Sequence, residues 1–162
     1  MSGCPGTART EIIFDRGLGD LFVVRTAGHV MGPEVLGSIE FGVDVLGCPL
    51  VVVLGHDSCG AVGAACAALE DGMTPAGYVR DVVERVAPSV LAARAAGRVE
   101  PQEVLAKHIR HTVDLLLDRS RVLAEKVAVD QAAVVGLCYR LADGSAELVA
   151  ARGLDVAVPT AS

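Results

Sequence analysis

The chain has 162 residues, 52% hydrophobic and 21% charged, with a net charge of −6 and a pI near 5.1. That length suits one domain with one core, and the acidic balance argues against binding to nucleic acid or an anionic membrane. No run reaches the roughly 18 consecutive apolar residues of a membrane span, and the N-terminal MSGCPGTARTE lacks the apolar stretch of a secretory signal, so a cytoplasmic location is expected.

Residues 1–10 are polar and irregular, and a single domain is expected over 11–158. EIIFD reads as a short helix or turn, followed by the glycine-rich RGLGD. LFVVRTAGHV reads as a buried strand running out into a loop. Pro33 opens a helix, PEVLGSIEFGVDVLG, with Leu36, Ile39, Val43 and Leu46 on one face and Gly47 at its end. PLVVVLGH is a short β-branched run, the pattern of a strand covered on both faces. CGAVGAACAALEDG follows as a small-residue helix ending at Gly72.

The second half opens with the helical AGYVRDVVERVAPSVLAARAAG, in which Pro88 should break or kink the helix. A longer helix is expected from about Pro101 to Val127. AAVVGLCYRL-ADG-SAELVAARG reads as a hairpin with Asp143-Gly144 in its turn. Strands alternating with helices predict an α/β fold, a mostly parallel sheet flanked by helices. The mean hydropathy of +0.49 is high for so small a domain and points to a covered sheet or a large interface between copies.

Five cysteines, an odd number with no small secreted framework, read as thiols or metal ligands. Cys48, Cys66 and Cys138 fit structural roles. Cys59 differs, because LGHDSCGAVG sets it three residues after His56, where the strand PLVVVLGH gives way to a helix. Ligands of α/β folds gather at such carboxyl ends of strands. Imidazole and thiolate both suit zinc, and Gly60 with Ala61 lets backbone N–H groups approach an anion at the helix start. The plainer reading is a strand-to-helix turn capped by Asp57 or Ser58, with a buried thiol. One His–Cys pair supplies two ligands, whereas a catalytic zinc usually takes three from the protein.

Several segments in order resemble the β-class carbonic anhydrases: Gly55-His56-Asp57-Ser58-Cys59-Gly60-Ala61 is similar to the family's GHxxCGA motif, DLFVVRTAGHV to its RNAGN-type segment, GSIEFGV to its SIEY helix and VVGLCYRLADGSAEL to its last strands. The resemblance runs from about Glu11 to Val149. It implies reversible, zinc-dependent hydration of carbon dioxide to bicarbonate, with the metal activating water near neutral pH. It also implies His56 and Cys59 as metal ligands, Gly60 at the substrate, and a homodimer or higher even homo-oligomer. A relative hydrolysing COS or CS2, or a non-catalytic member, would share these features.

The family's first zinc ligand lies in a C-x-D-x-R motif ending the first, central strand, and its Asp–Arg dyad orients the activated water. This sequence contains no such motif. Gly3, Pro5 and Thr7 fall under its Cys, Asp and Arg, and Cys4 lies one residue away. Cys4 reads either as a slipped third metal ligand or as a terminal thiol. The first central strand is therefore expected to be missing, leaving unpaired backbone groups beside its neighbours. His29 is expected to hydrogen-bond within its loop, His108 and His111 to share a solvated or interface helix face, and Arg25 to anchor structure near the site.

Overall fold

The computed structural model describes residues 10–17 and 19–158. After a single helical turn, α1 (Thr10–Ile13), the chain runs to a 3-10 turn at Ala27–His29 and then α2 (Pro33–Glu40). Gly32 is the extended N-cap of α2, and Pro33 occupies its first turn, where no N–H is needed. The helix widens into a π turn, Phe41–Val45, and ends before Gly47, whose φ of +70° lies in the left-handed region.

Strand β1 (Leu50–His56) leads into α3 (Gly60–Asp71), which terminates at Gly72 in a left-handed C-cap. Helices α4 (Val79–Ala95), α5 (Pro101–Arg119) and α6 (Arg121–Ala128) follow, then β2 (Ala133–Tyr139) and β3 (Ala146–Arg152). The strands form one sheet in the order β1-β2-β3. β1 and β2 are parallel, with Leu50 opposite Ala133 and His56 opposite Tyr139. β2 and β3 are antiparallel, as the hairpin reading requires. Their turn is fixed by Asp143, whose carboxylate accepts from the N–H and hydroxyl of Ser145 (2.9 and 2.6 Å).

Helix α5 crosses the sheet on the face carrying Val53, Gly55, Val134 and Gly136. A Cβ on Gly55 would stand 2.6 Å from Ile109 Cδ1, and one on Gly136 would stand 2.6 Å from Ile109 Cγ2. Two glycines on neighbouring strands thus let one buried isoleucine seat the helix close to the backbone. Val104, Leu105, Val113 and Leu116 from α5, with Val83, Val86 and Val90 from α4, complete the core on this side.

Four expectations are corrected. Residues 21–26 form no ladder among the described residues, so LFVVRT does not stand as a strand there: its composition suits a sheet, but no described strand lies beside it to pair. β1 is buried on one face only: Val53 and Gly55 are covered by α5, whereas Val52, Leu54 and His56 are half-buried. α4 runs unbroken through Pro88. The carbonyl that the proline cannot bond belongs to the exposed Glu84, where water can satisfy it. The helix begun at Pro101 is two helices, because Ser120 turns extended (φ −102°, ψ 102°) and caps α6 through Oγ, which accepts from Leu123 N at 3.1 Å.

Candidate metal centre at the end of strand β1

His56 is the last residue of β1, and the parallel ladder to β2 fixes its place. Its Nδ1 lies 2.6 Å from the Asp57 carbonyl oxygen. A carbonyl can only accept, so Nδ1 carries the proton and Nε2 presents a lone pair. This is the tautomer a metal-binding imidazole needs, with its second nitrogen held by a backbone oxygen.

Asp57 secures the turn rather than capping the helix. Its N–H extends the ladder to Tyr139 O (3.0 Å), and its carboxylate accepts from Leu141 N (3.1 Å). Ser58 then turns the chain at φ +59°, a conformation that strains a non-glycine residue and is common at functional sites. Cys59 is the N-cap of α3, extended at φ −66° and ψ 111°, and makes no side-chain cap bond. The capping role expected of Asp57 or Ser58 in the plain-turn reading is therefore absent. Gly60 is the first helical residue, exposed, with open space where a Cβ would stand, so its backbone is open to a bound molecule.

The donor chemistry of His56 and Cys59 suits zinc, but two donors do not complete a site. Among the described residues no group of three or more His, Cys, Asp or Glu is placed to hold a metal ion. Cys4 lies outside the described residues.

Behind this turn lies a pair of imidazoles. The rings of His29 and His108 stack with centroids 4.4 Å apart. His108 is buried, bonded through Nδ1 to Ser89 Oγ (2.9 Å) and through Nε2 to Gly28 O (2.8 Å). The expected solvated or interface face is thus corrected for His108, which is a core residue that pins the Gly28 turn to α5. Its place within the buried series Leu105, His108, Thr112 and Leu116 was the sequence signal for this. His111 is half-buried. His29 does not fill the loop role expected of it: it sits at φ +40° with its Nε2 buried and without a hydrogen-bond partner. Burial, then the neighbouring His108 and His56, push its pKa down to about 3. Burial also lowers the pKa of His108 and raises the thiol pKa values of Cys66 and Cys138, consistent with structural cysteines.

The carbonic anhydrase family model matches residues 7–146. The chain is 57% identical over 147 residues to carbonic anhydrase 2 of Mycobacterium tuberculosis, covering 90% of this chain and 71% of that protein. It is 55% identical over 148 residues to a carbonic anhydrase of Mycolicibacterium smegmatis, with the same coverage. The fold is similar to the β-carbonic anhydrase of Coccomyxa in complex with acetazolamide (TM-score 0.76, 19% identity, 90% of this chain and 68% of that one). It is also similar to a tetrameric β-carbonic anhydrase of Sordaria macrospora (TM-score 0.74, 20% identity, 86% and 73%). With the His56–Cys59 turn standing in the fold of these proteins, the chain belongs to the β-class carbonic anhydrase family.

Proposed function

We propose that the chain binds zinc through His56 and Cys59 and carries a weakened form of the family's reaction, the reversible hydration of carbon dioxide to bicarbonate. The observation that carries this reading is the state of the two donors: the Nδ1–carbonyl bond leaves the His56 lone pair on Nε2, and the Cys59 side chain makes no cap bond. When bound, zinc would act as a Lewis acid and lower the pKa of a coordinated water to about 7. The chain's own contribution is to hold the imidazole tautomer through Asp57 O and to leave the Gly60 backbone open beside the substrate.

The weakness follows from the donor count. A third ligand is needed, and Cys4 is the candidate in this sequence. No Asp–Arg pair follows it at the family's spacing, and loss of such orienting groups typically lowers affinity or activity about 10- to 100-fold. Family membership accords with assembly into a homodimer or higher even homo-oligomer.

The test is zinc content measured beside the rate of carbon dioxide hydration. Substoichiometric zinc and a rate near the uncatalysed one are expected. Cys59→Ser should remove the residual zinc, and Cys4→Ser should do so if Cys4 is the third ligand. Full zinc occupancy with fast turnover would refute the weakened-site reading. Total absence of zinc from the unaltered chain would favour the second reading, a non-catalytic member of the family. Turnover of COS or CS2 without carbon dioxide hydration would indicate a hydrolase relative.

A further inference from the structure

A second candidate site lies behind the His56–Cys59 turn. Between the Gly28 turn, α4 and α5 the surface opens into a cavity of about 240 Å³. Its floor is the imidazole pair, His29 over His108, with the buried Met31 and Thr112 beside it. Both nitrogens of His108 are engaged, and Thr112 Oγ1 donates to His108 O at 2.9 Å, so neither side chain's hydrogen is free for a ligand. His29 Nε2 has no partner, but it is buried beneath the cavity rather than open to it. Such an atom is expensive to leave unbonded, by about 1–3 kcal/mol.

The mouth is cationic. Arg85 and Arg119 both line it, as does His111. Arg85 donates to Met31 O (2.5 Å), a bond that leaves its charge uncompensated, and among the described residues neither arginine has an ion-pair partner. The lining includes a single carboxylate, Glu84, which is paired to Arg80 at 2.6 Å. Two uncompensated guanidinium groups around one cavity are notable in a chain whose net charge is −6. Guanidinium groups bind carboxylate and phosphate oxygens through paired N–H donors.

We infer that this cavity is a binding site for a small oxyanion, a phosphate or a carboxylate, held by Arg85 and Arg119 at the mouth with His111 beside them. The cavity adjoins the metal centre, since His29 feels the charge of His56, but it shares no residue with the His56–Asp57–Ser58–Cys59–Gly60 turn. His29 is neutral near pH 7, since burial holds its pKa down to about 3. It therefore adds no charge to the cavity, and the arginines supply the attraction.

The experiment is calorimetric titration of the purified chain at pH 7.5 and low ionic strength, once with inorganic phosphate and once with succinate. One equivalent of at least one anion should bind with a Kd at or below about 1 mM. Phosphate alone would assign a phosphate group, and succinate alone a carboxylate. Arg119→Gln, at an exposed residue with no ion pair among the described residues, should weaken binding roughly tenfold or more, as loss of a charge-assisted hydrogen bond does. His111→Gln is a second variant on the same wall and should also weaken it; thermal melts establish that each variant is folded. Cys59→Ser should leave binding intact, which separates this site from the metal centre whatever the zinc content. The inference is overturned if neither anion binds, if both Arg119→Gln and His111→Gln bind as the parent does, or if Cys59→Ser abolishes the heat.

Discussion

At the scale of single residues, glycine carries two different burdens. Gly55 and Gly136 are packing glycines, each with Ile109 in the space a Cβ would need. Gly60 is an access glycine, with nothing within 4 Å of that position. Gly55→Ala and Gly136→Ala should each destabilise the fold by about 1–3 kcal/mol through overpacking, read as a lower urea midpoint. Gly60→Ala should leave the midpoint unchanged or raise it, because alanine favours a helix. Equal losses at all three would contradict this division. The sequence placed Gly55 and Gly60 in one motif without separating their burdens and was silent on Gly136, because the packing need comes from a helix that follows Gly55 and precedes Gly136. The histidines follow the same logic. His56 was legible from its place at a strand end, whereas His108 was misjudged from its neighbour His111. The helical stripe that buries His108 includes the polar Thr112, and that blurred its apolar face.

The buried imidazole pair also sets a pH dependence. His29 has a folded pKa near 3 against an ordinary 6.5, and burial lowers that of His108 as well. The unfolded chain therefore binds more protons between these values. Stability is fully present above about pH 6.5 and falls as pH drops through that value towards 3. Each such group contributes a slope of up to about 1.4 kcal/mol per pH unit. Urea midpoints measured from pH 7.5 down to pH 5 should decline, and His29→Asn should flatten the decline, since asparagine tolerates the left-handed backbone at this position. An unchanged slope in that variant would show that His29 does not carry the effect.

At the scale of elements, the boundary between α5 and α6 shows how one side chain divides a continuous helical pattern. The apolar stripe runs on past residue 120, and from periodicity alone one helix is expected to Val127. Ser120 interrupts it, with its hydroxyl accepting from Leu123 N at 3.1 Å and donating to Glu40 Oε1 at 2.7 Å. That second bond ties the start of α6 to the end of α2, a partner 80 residues away that no local pattern reveals. Ser120→Ala removes both bonds in a buried place, so a loss of about 1–2 kcal/mol is expected. Ser120→Thr should recover part of it if capping dominates. A denaturation midpoint unmoved by Ser120→Ala would mean that the helix break is held by something other than this cap. LFVVRT shows the reverse error. Its residues favour a strand, but a strand exists only when a neighbour accepts its hydrogen bonds, and sequence pattern reports the preference without the partner.

At the scale of the whole molecule, the three-stranded sheet leaves β1 with β2 on one side and no described strand on the other. Apolar side chains collect on the segments nearby in sequence. Phe22 and Phe41 are each 48% exposed with ring centroids 6.3 Å apart, and Val45, Leu46 and Leu50 are also open. A strand edge without a described partner, and exposed aromatic and aliphatic groups, are both surfaces that folded proteins normally cover. Sedimentation at micromolar concentration should therefore find a dimer or a higher even oligomer. Phe41→Lys combined with Leu46→Lys places two charges on that surface without touching the buried core. It should shift the chain towards monomer while the circular dichroism spectrum is retained. A monomeric parent would contradict the assignment of this surface to self-association. An oligomer unaffected by the two lysines would place the interface elsewhere on the chain.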